Sequence, residues 1–141
     1  ITVLKKRENY RQAFHQFDPI RVAAMDEADV ERLLQDAGII RHRGKIQAVI
    51  GNARAFLAME ANGEAFSDFV WSFVDNQPQI THAATLAEIP TTTPASDALS
   101  KALKKRGFKF VGSTICYSFM QACGLVNDHV TGCCCHPGRP A

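Results

Sequence analysis

Three features of the sequence predict an all-α fold. Apolar residues recur at helical spacing, helix-capping residues precede several of these runs, and strand-like alternation is nowhere sustained. The clearest period is Ile46, Val49, Ile50, Ala53, Phe56 and Leu57, which predicts a long helix over about 43–60 with one buried face. Upstream, Leu4, Tyr10, Ala13, Phe14 and Phe17 fall on one stripe and predict a helix over 2–16. Asp18-Pro19 and Asp26 are N-cap signals for a short helix over 19–24 and another over 27–36 that stops at Gly38. After Asn62-Gly63, the run from Phe66 to Val74 predicts a shorter apolar helix. The period is then lost between Asn76 and Ala95, a stretch rich in proline and threonine that reads as an extended connection. Ser96 is the expected cap of the next helix, whose Leu99, Ala102 and Leu103 face inward and which ends at Arg106-Gly107. Ser113 to Cys123 forms the last helix, with Ile115, Phe119, Ala122 and Cys123 available for packing.

The chain has 141 residues, 46% of them hydrophobic, which suits one domain around one core and argues against disorder. It contains no apolar run long enough to span a bilayer and no secretory leader, so a cytoplasmic protein is expected. Five cysteines, three of them consecutive, make a poor disulfide framework and point to metal or buried thiols. The opening ITVLKKRENY already reads as the interior of a helix, so an N-terminal segment is expected to be missing.

Net charge is only +2, but it is unevenly placed. Residues 1–98 carry ten Lys/Arg against thirteen Asp/Glu, whereas residues 99–141 carry six against Asp128 alone. Lys101, Lys104, Lys105, Arg106 and Lys109 form an uninterrupted positive stretch suited to a polyanion, or to a solvated helix face. Arg41, Arg43 and Lys45 form a second basic patch before the long helix, open to the same two readings.

The positive stretch lies in LSKALKKRGFKFVGSTICYSFMQACG, two helices joined by a few residues ending in glycine, a unit over about 96–124 that resembles a helix-hairpin-helix. In such a unit the glycine lets backbone approach a phosphate, and the N–H groups and dipole of the second helix hold the anion. Gly112, Ser113 and Thr114 are the candidate donors. Phe108, Lys109, Phe110, Val111 and Gly112 stand where the pattern reads apolar, variable, Gly, apolar, Gly, so Phe110 replaces the first glycine. A simple packing hairpin is the alternative.

His129, Cys133, Cys134, Cys135 and His136 place five borderline or soft ligands within eight residues, and zinc is the natural candidate. His129 and Cys133, four apart, lie on one face of a helical or tightly turned backbone. His15, His42, His82, Cys116 and Cys123 are isolated and read as ordinary.

Taken together, ITVLKKRENY, DAGIIRHRGKIQAVIGNARAF, FVWSFV, ALKKRGFKFVGSTICYSFMQACGLVNDH and the final GCCC resemble the bacterial type I 3-methyladenine-DNA glycosylases over essentially the whole chain. The resemblance implies an all-α helix-hairpin-helix glycosylase fold occupying 1–141 as one domain incomplete at its N-terminus. It implies monofunctional release of 3-methyladenine from alkylated double-stranded DNA, with Lys104, Lys105, Arg106, Lys109, Gly112, Ser113 and Thr114 near phosphates, and a monomer is expected, although the sequence does not fix the oligomeric state. A structural zinc is implied in a segment over about 127–136, with His129 and Cys133 as two of its four ligands. The family's pocket carboxylate has no match in this chain, Asp128 is a weak substitute, and little turnover is expected from these 141 residues alone. Helix capping or a hydrogen bond to His129 is the expected role of Asp128. Two other readings remain: a non-catalytic helix-hairpin-helix DNA-binding module, and a thiol-rich metal or redox protein.

Overall fold

The structure is a computed structural model that describes residues 2–130, with side chains from Leu4 onward. Its packing divides into two compact units, residues 1–64 with 106–110, and residues 65–105 with 111–141.

In the first unit, the expected helix over 2–16 is broken. Helix α1 (Thr2–Lys5) ends at Lys6, whose φ of −100° and ψ of 10° leave the helical region, and α2 (Arg7–Ala13) restarts beyond it. His15, Gln16 and Phe17 then take left-handed φ values of 54°, 60° and 58° and reverse the chain. Only Ala13 and Phe14 of the predicted stripe are buried, while Leu4 and Phe17 are exposed. The reversal brings Asp18 to the start of α3 (Pro19–Ala23), where its carboxylate accepts from the Ile20 N–H at 3.0 Å. Asp26 opens α4 (Glu27–Leu33) through a reciprocal capping box with Asp29. This helix ends earlier than expected, with Leu34 as its C-cap.

Helix α5 (Arg43–Ala61) is the long helix that the period predicts, and α3 and α4 pack against it. Its Ile46 and Ile50 join Phe14, Val22, Met25, Val30, Leu33 and Ile39 in one core. Arg54 reaches from α5 to the carbonyls of Ala23 (2.9 Å) and Met25 (2.8 Å). A cation is thereby placed at the C-terminal end of α3, where carbonyls lack helical partners.

The second unit holds α6 (Phe66–Trp71), continued by a 3-10 turn to Val74, then α7 (Pro94–Lys105) and α8 (Ser113–Ala122). Ser96 does not begin α7. Thr93 does, because Pro94 presets the first helical residue and Thr93 and Ser96 cap each other: the Ser96 N–H donates to Thr93 Oγ1 (3.2 Å) and the Thr93 N–H to Ser96 Oγ (2.8 Å). The buried face of α8 is also shifted from expectation. Cys116, Tyr117 and Met120 are buried, whereas Ile115, Phe119 and Cys123 are exposed.

The connection expected to be merely extended contains β1 (Gln79–Ile80), which pairs in parallel with β2 (Val126–Asn127). The Gln79 N–H donates to the Leu125 carbonyl and the Thr81 N–H to the Asn127 carbonyl, each at 2.8 Å. Two residues per strand show no alternation for a sequence to reveal. No helix among the described residues is long and apolar enough to cross a membrane.

Candidate nucleic-acid interface

Helix α7 buries Leu99 and Leu103 and leaves Lys101, Lys104 and Lys105 exposed, so the amphipathic pattern of the sequence is realised. Lys104 and Lys105 occupy its last turn, where cations complement the helix dipole. Ser100 Oγ donates to the Val111 carbonyl (2.6 Å), and buried Cys116 donates its thiol to the same oxygen (3.3 Å). Burial pushes the Cys116 thiol up from its ordinary range, against the weaker pull of Lys104, and keeps it protonated.

At the start of α8, Gly112 has φ −60° and ψ 163°. A Cβ added there would meet no protein atom within 4 Å, so the face beside Gly112 is open to a ligand. The hydroxyl of Ser113 is already engaged, donating to Asp97 Oδ1 at 2.5 Å and lying 2.8 Å from Ser96 Oγ. What this end of α8 offers an anion is therefore the backbone N–H groups of its first turn, which have no preceding carbonyl in the helix to bond.

The loop 106–110 belongs to the first unit and is fixed there by two contacts. Arg106 meets Glu64 in a bidentate pair, Nε to Oε1 at 3.0 Å and Nη2 to Oε2 at 2.6 Å. These bonds raise the Arg106 pKa and hold the Glu64 carboxyl below its ordinary range. Asn52, from the middle of α5, accepts from the Lys109 N–H (2.8 Å) and donates to the Lys109 carbonyl (3.0 Å).

Phe110 has φ +58°, in the left-handed region that glycine adopts most readily. Its ring is 51% exposed, meets the edge of His42 at a centroid distance of 6.3 Å, and lies 6.0 Å from Lys45 Nζ. His42 caps α5 through Nδ1, which accepts from the Lys45 N–H at 3.1 Å. Arg43 of the second basic patch is instead paired with Glu27 (2.7 Å) and Glu31 (2.5 Å).

Asp128 follows β2 and is anchored by two side chains of α8. Its Oδ2 accepts from Tyr117 Oη (2.8 Å) and Gln121 Nε2 (2.6 Å), an anchoring role within the second unit. Burial, with the adjacent Asp128, pushes the Tyr117 phenol up to about 12. His129 is exposed, and its N–H donates to Asn127 Oδ1 at 3.3 Å. No group of three His, Cys, Asp or Glu side chains suited to a metal occurs among the described residues. Cys133, Cys134, Cys135 and His136 lie outside the described residues.

Sequence reasoning missed Asn52, Glu64 and Tyr117. Asn52 and Glu64 act on residues distant in sequence, and only the approach of the loop to α5 gives them partners. Phe110, which departs from the hairpin pattern, has a left-handed backbone that the sequence does not announce.

A mostly helical scaffold in which α7 and α8 are joined by a short hairpin places the chain in the class of helix-hairpin-helix DNA glycosylase folds. Residues 1–136 match the methyladenine glycosylase family model, and the chain belongs to that family. It is 83% identical to DNA-3-methyladenine glycosylase 1 of Escherichia coli K12, over 99% of this chain and 74% of that protein. It is 57% identical to DNA-3-methyladenine glycosylase of Haemophilus influenzae, over 96% of this chain and 73% of that protein. A crystal structure of 3-methyladenine DNA glycosylase I superposes with a TM-score of 0.94 at 83% identity, over 96% of this chain and 75% of that one. The Staphylococcus aureus enzyme, in a structure addressing 3-methyladenine recognition, superposes with a TM-score of 0.90 at 36% identity, over 97% of this chain and 73% of that one.

Proposed function

We propose that the chain is a DNA-3-methyladenine glycosylase I, a base-excision repair hydrolase that releases 3-methyladenine from alkylated duplex DNA. The observation that carries its DNA contact is the start of α8, with open space beside Gly112 and the Ser113 hydroxyl turned to Asp97. A phosphate there meets backbone donors at Ser113 and Thr114 and the N-terminal field of a ten-residue helix. Lys104 and Lys105, in the last turn of α7 of the same unit, add charge neutralisation. Arg106, neutralised by Glu64, serves to hold the loop.

Chemistry at the base requires extrusion of the nucleotide from the stack. Methylation at N3 makes the adenine a cationic leaving group. As its bond to C1′ breaks, water adds through oxygen to C1′, neutral 3-methyladenine departs and one proton is released. Positioning and electrostatics, rather than a strong acid, meet this demand. Cleavage of the strand as well would use a lysine nucleophile at the start of the second hairpin helix. That place is taken by Thr114, which supports monofunctional hydrolysis. Asp128, held by Tyr117 and Gln121, is a structural carboxylate in this reading.

A structural zinc accompanies the reading, with His129 and Cys133 as two of four ligands. The donor chemistry fits: His129 is exposed, whereas the protonated and buried Cys116 is a poor alternative. Metal analysis of the protein beside Cys133→Ala tests it, with loss of bound zinc expected.

The DNA contact is tested by Ser113→Pro beside Ser113→Ala. Proline suits the first residue of a helix, and the extended ψ of Gly112 suits the residue before a proline, so α8 is preserved while one N–H is removed. Charge-assisted hydrogen bonds contribute about 1.5–3 kcal/mol, so the proline variant should bind duplex DNA about ten-fold or more weakly than the alanine variant. Equal affinities would exclude the Ser113 N–H as a phosphate ligand. Release of 3-methyladenine from methylated DNA tests the activity itself.

A further inference from the structure

We infer that Arg41, Lys45, Lys109 and Phe110 form a second DNA-contact surface within the first unit, on which the Phe110 ring packs against a deoxyribose while the three cations meet neighbouring phosphates. The inference rests on the reading of this protein as a duplex-DNA enzyme, and it assigns to DNA a patch outside the start of α8.

Two basic runs far apart in sequence come together here. Lys45 Nζ lies 6.0 Å from the centroid of Phe110, the residue that follows Lys109. His42, between Arg41 and the start of α5, touches the same ring edge-on. Asn52 holds the Lys109 peptide from both sides, which fixes the position of Phe110 relative to α5. Charge accounting selects the residues that can serve a polyanion. Arg43 is paired with Glu27 and Glu31, and Arg106 with Glu64, whereas Arg41, Lys45 and Lys109 take part in none of the ion pairs among the described residues. All three are exposed.

Phe110 is the unusual member. It pairs a left-handed backbone, which costs a residue bearing a Cβ, with a ring left 51% exposed. Glycine would adopt this φ without strain, and the phenylalanine side chain meets His42 and Lys45 on one side while its other half stays open. An exposed aromatic ring amid cations is, however, the arrangement with which proteins meet the apolar faces of nucleic acids. Departures from a local backbone rule are expected to concentrate at functional positions.

The test is binding of a short, undamaged, fluorescein-labelled duplex to the full chain across a series of salt concentrations. Lys45→Ala should reduce the slope of log K against log salt by about 0.9, the value for one lost phosphate contact. Phe110→Gly should weaken binding about 5-fold at every salt concentration without changing the slope, as for loss of one partly buried apolar contact. Its thermal midpoint should not fall, because the backbone strain is relieved. Phe110→Asn, which also tolerates the left-handed region, repeats the measurement should glycine loosen the loop. Lys104→Ala, in the second unit, reports on the hairpin alone. A lowered slope for Lys104→Ala with wild-type binding by the Lys45 and Phe110 variants overturns the second surface only. Absence of salt-dependent binding by the wild-type protein overturns both readings.

Discussion

Asn52 holds the Lys109 peptide from both sides, accepting its N–H at 2.8 Å and donating to its carbonyl at 3.0 Å. A side-chain amide is suited to this, since it offers one acceptor and two donors a fixed distance apart. The contact joins the middle of the longest helix to a loop whose next residue is in the left-handed region, so Asn52 determines how the loop is presented.

Asn52→Ala should therefore lower stability by about 1–2 kcal/mol, the usual result of losing two partly exposed hydrogen bonds. Asn52→Asp keeps the acceptor but sets a carboxylate against the Lys109 carbonyl, and should cost at least as much. Urea denaturation checks both, with the slope against urea unchanged if the native structure is otherwise intact.

Glu64 and Arg106 offer a pH-dependent counterpart. Arg106 holds the Glu64 carboxyl below its ordinary range. The stabilisation is therefore complete above the unfolded pKa of a glutamate and is lost as pH falls through the lowered folded value. Glu64→Gln should reduce the thermal midpoint modestly at neutral pH, because the pair is partly solvated, and the difference from wild type should vanish under acid conditions. Arg106→Ala should leave the salt dependence of DNA binding unaltered, since that cation is already neutralised.

Tyr117 acts at the opposite end of the pH scale. Its phenol is pushed up to about 12 by burial and by Asp128, against an ordinary value of 10.0. The corresponding stability is present below pH 10 and is lost between pH 10 and about 12, as the folded state resists an ionisation that the unfolded chain permits. Ultraviolet titration of wild type beside Tyr117→Phe should show one phenol ionising above the ordinary value of 10.0 in the wild type only. Tyr117→Phe should remove this alkaline dependence and cost about 2 kcal/mol at neutral pH, typical for a hydrogen bond to a charged group.

The two described cysteines should differ sharply towards an alkylating reagent. Cys116 is buried with a raised pKa, while Cys123 is exposed. Peptide mapping after brief iodoacetamide treatment should find Cys123 modified well before Cys116. Equal labelling would mean that α8 opens readily in the native state.

Most of the helical scaffold was legible because periodicity and capping are local. Asp18 and Asp26 marked helix starts correctly, and the face of α5 followed from Ile46 and Ile50. The failures share a cause in contacts made beyond a few residues. Nothing near Lys6 or His15 announced a break, and in α8 several apolar candidates, Ile115, Phe119 and Cys123, lie outside the buried face centred on Tyr117. Ser96 was recognised as a capping residue, but its reciprocal bond with Thr93 moves the helix start upstream. Charge counting grouped Arg43 and Arg106 with the neighbouring lysines and could not show that both arginines are paired with glutamates.

The parallel ladder of Gln79–Ile80 with Val126–Asn127 has a consequence for the order of folding. Helices α6, α7 and α8 can form from neighbours in sequence, but this pairing must close a loop that contains both α7 and α8. Loop closure is an entropic cost met before the contacts it permits are gained, so the ladder should be among the last elements to form. Asp128 and His129 follow directly on β2 and are thus brought to their places only after the helices before them have assembled.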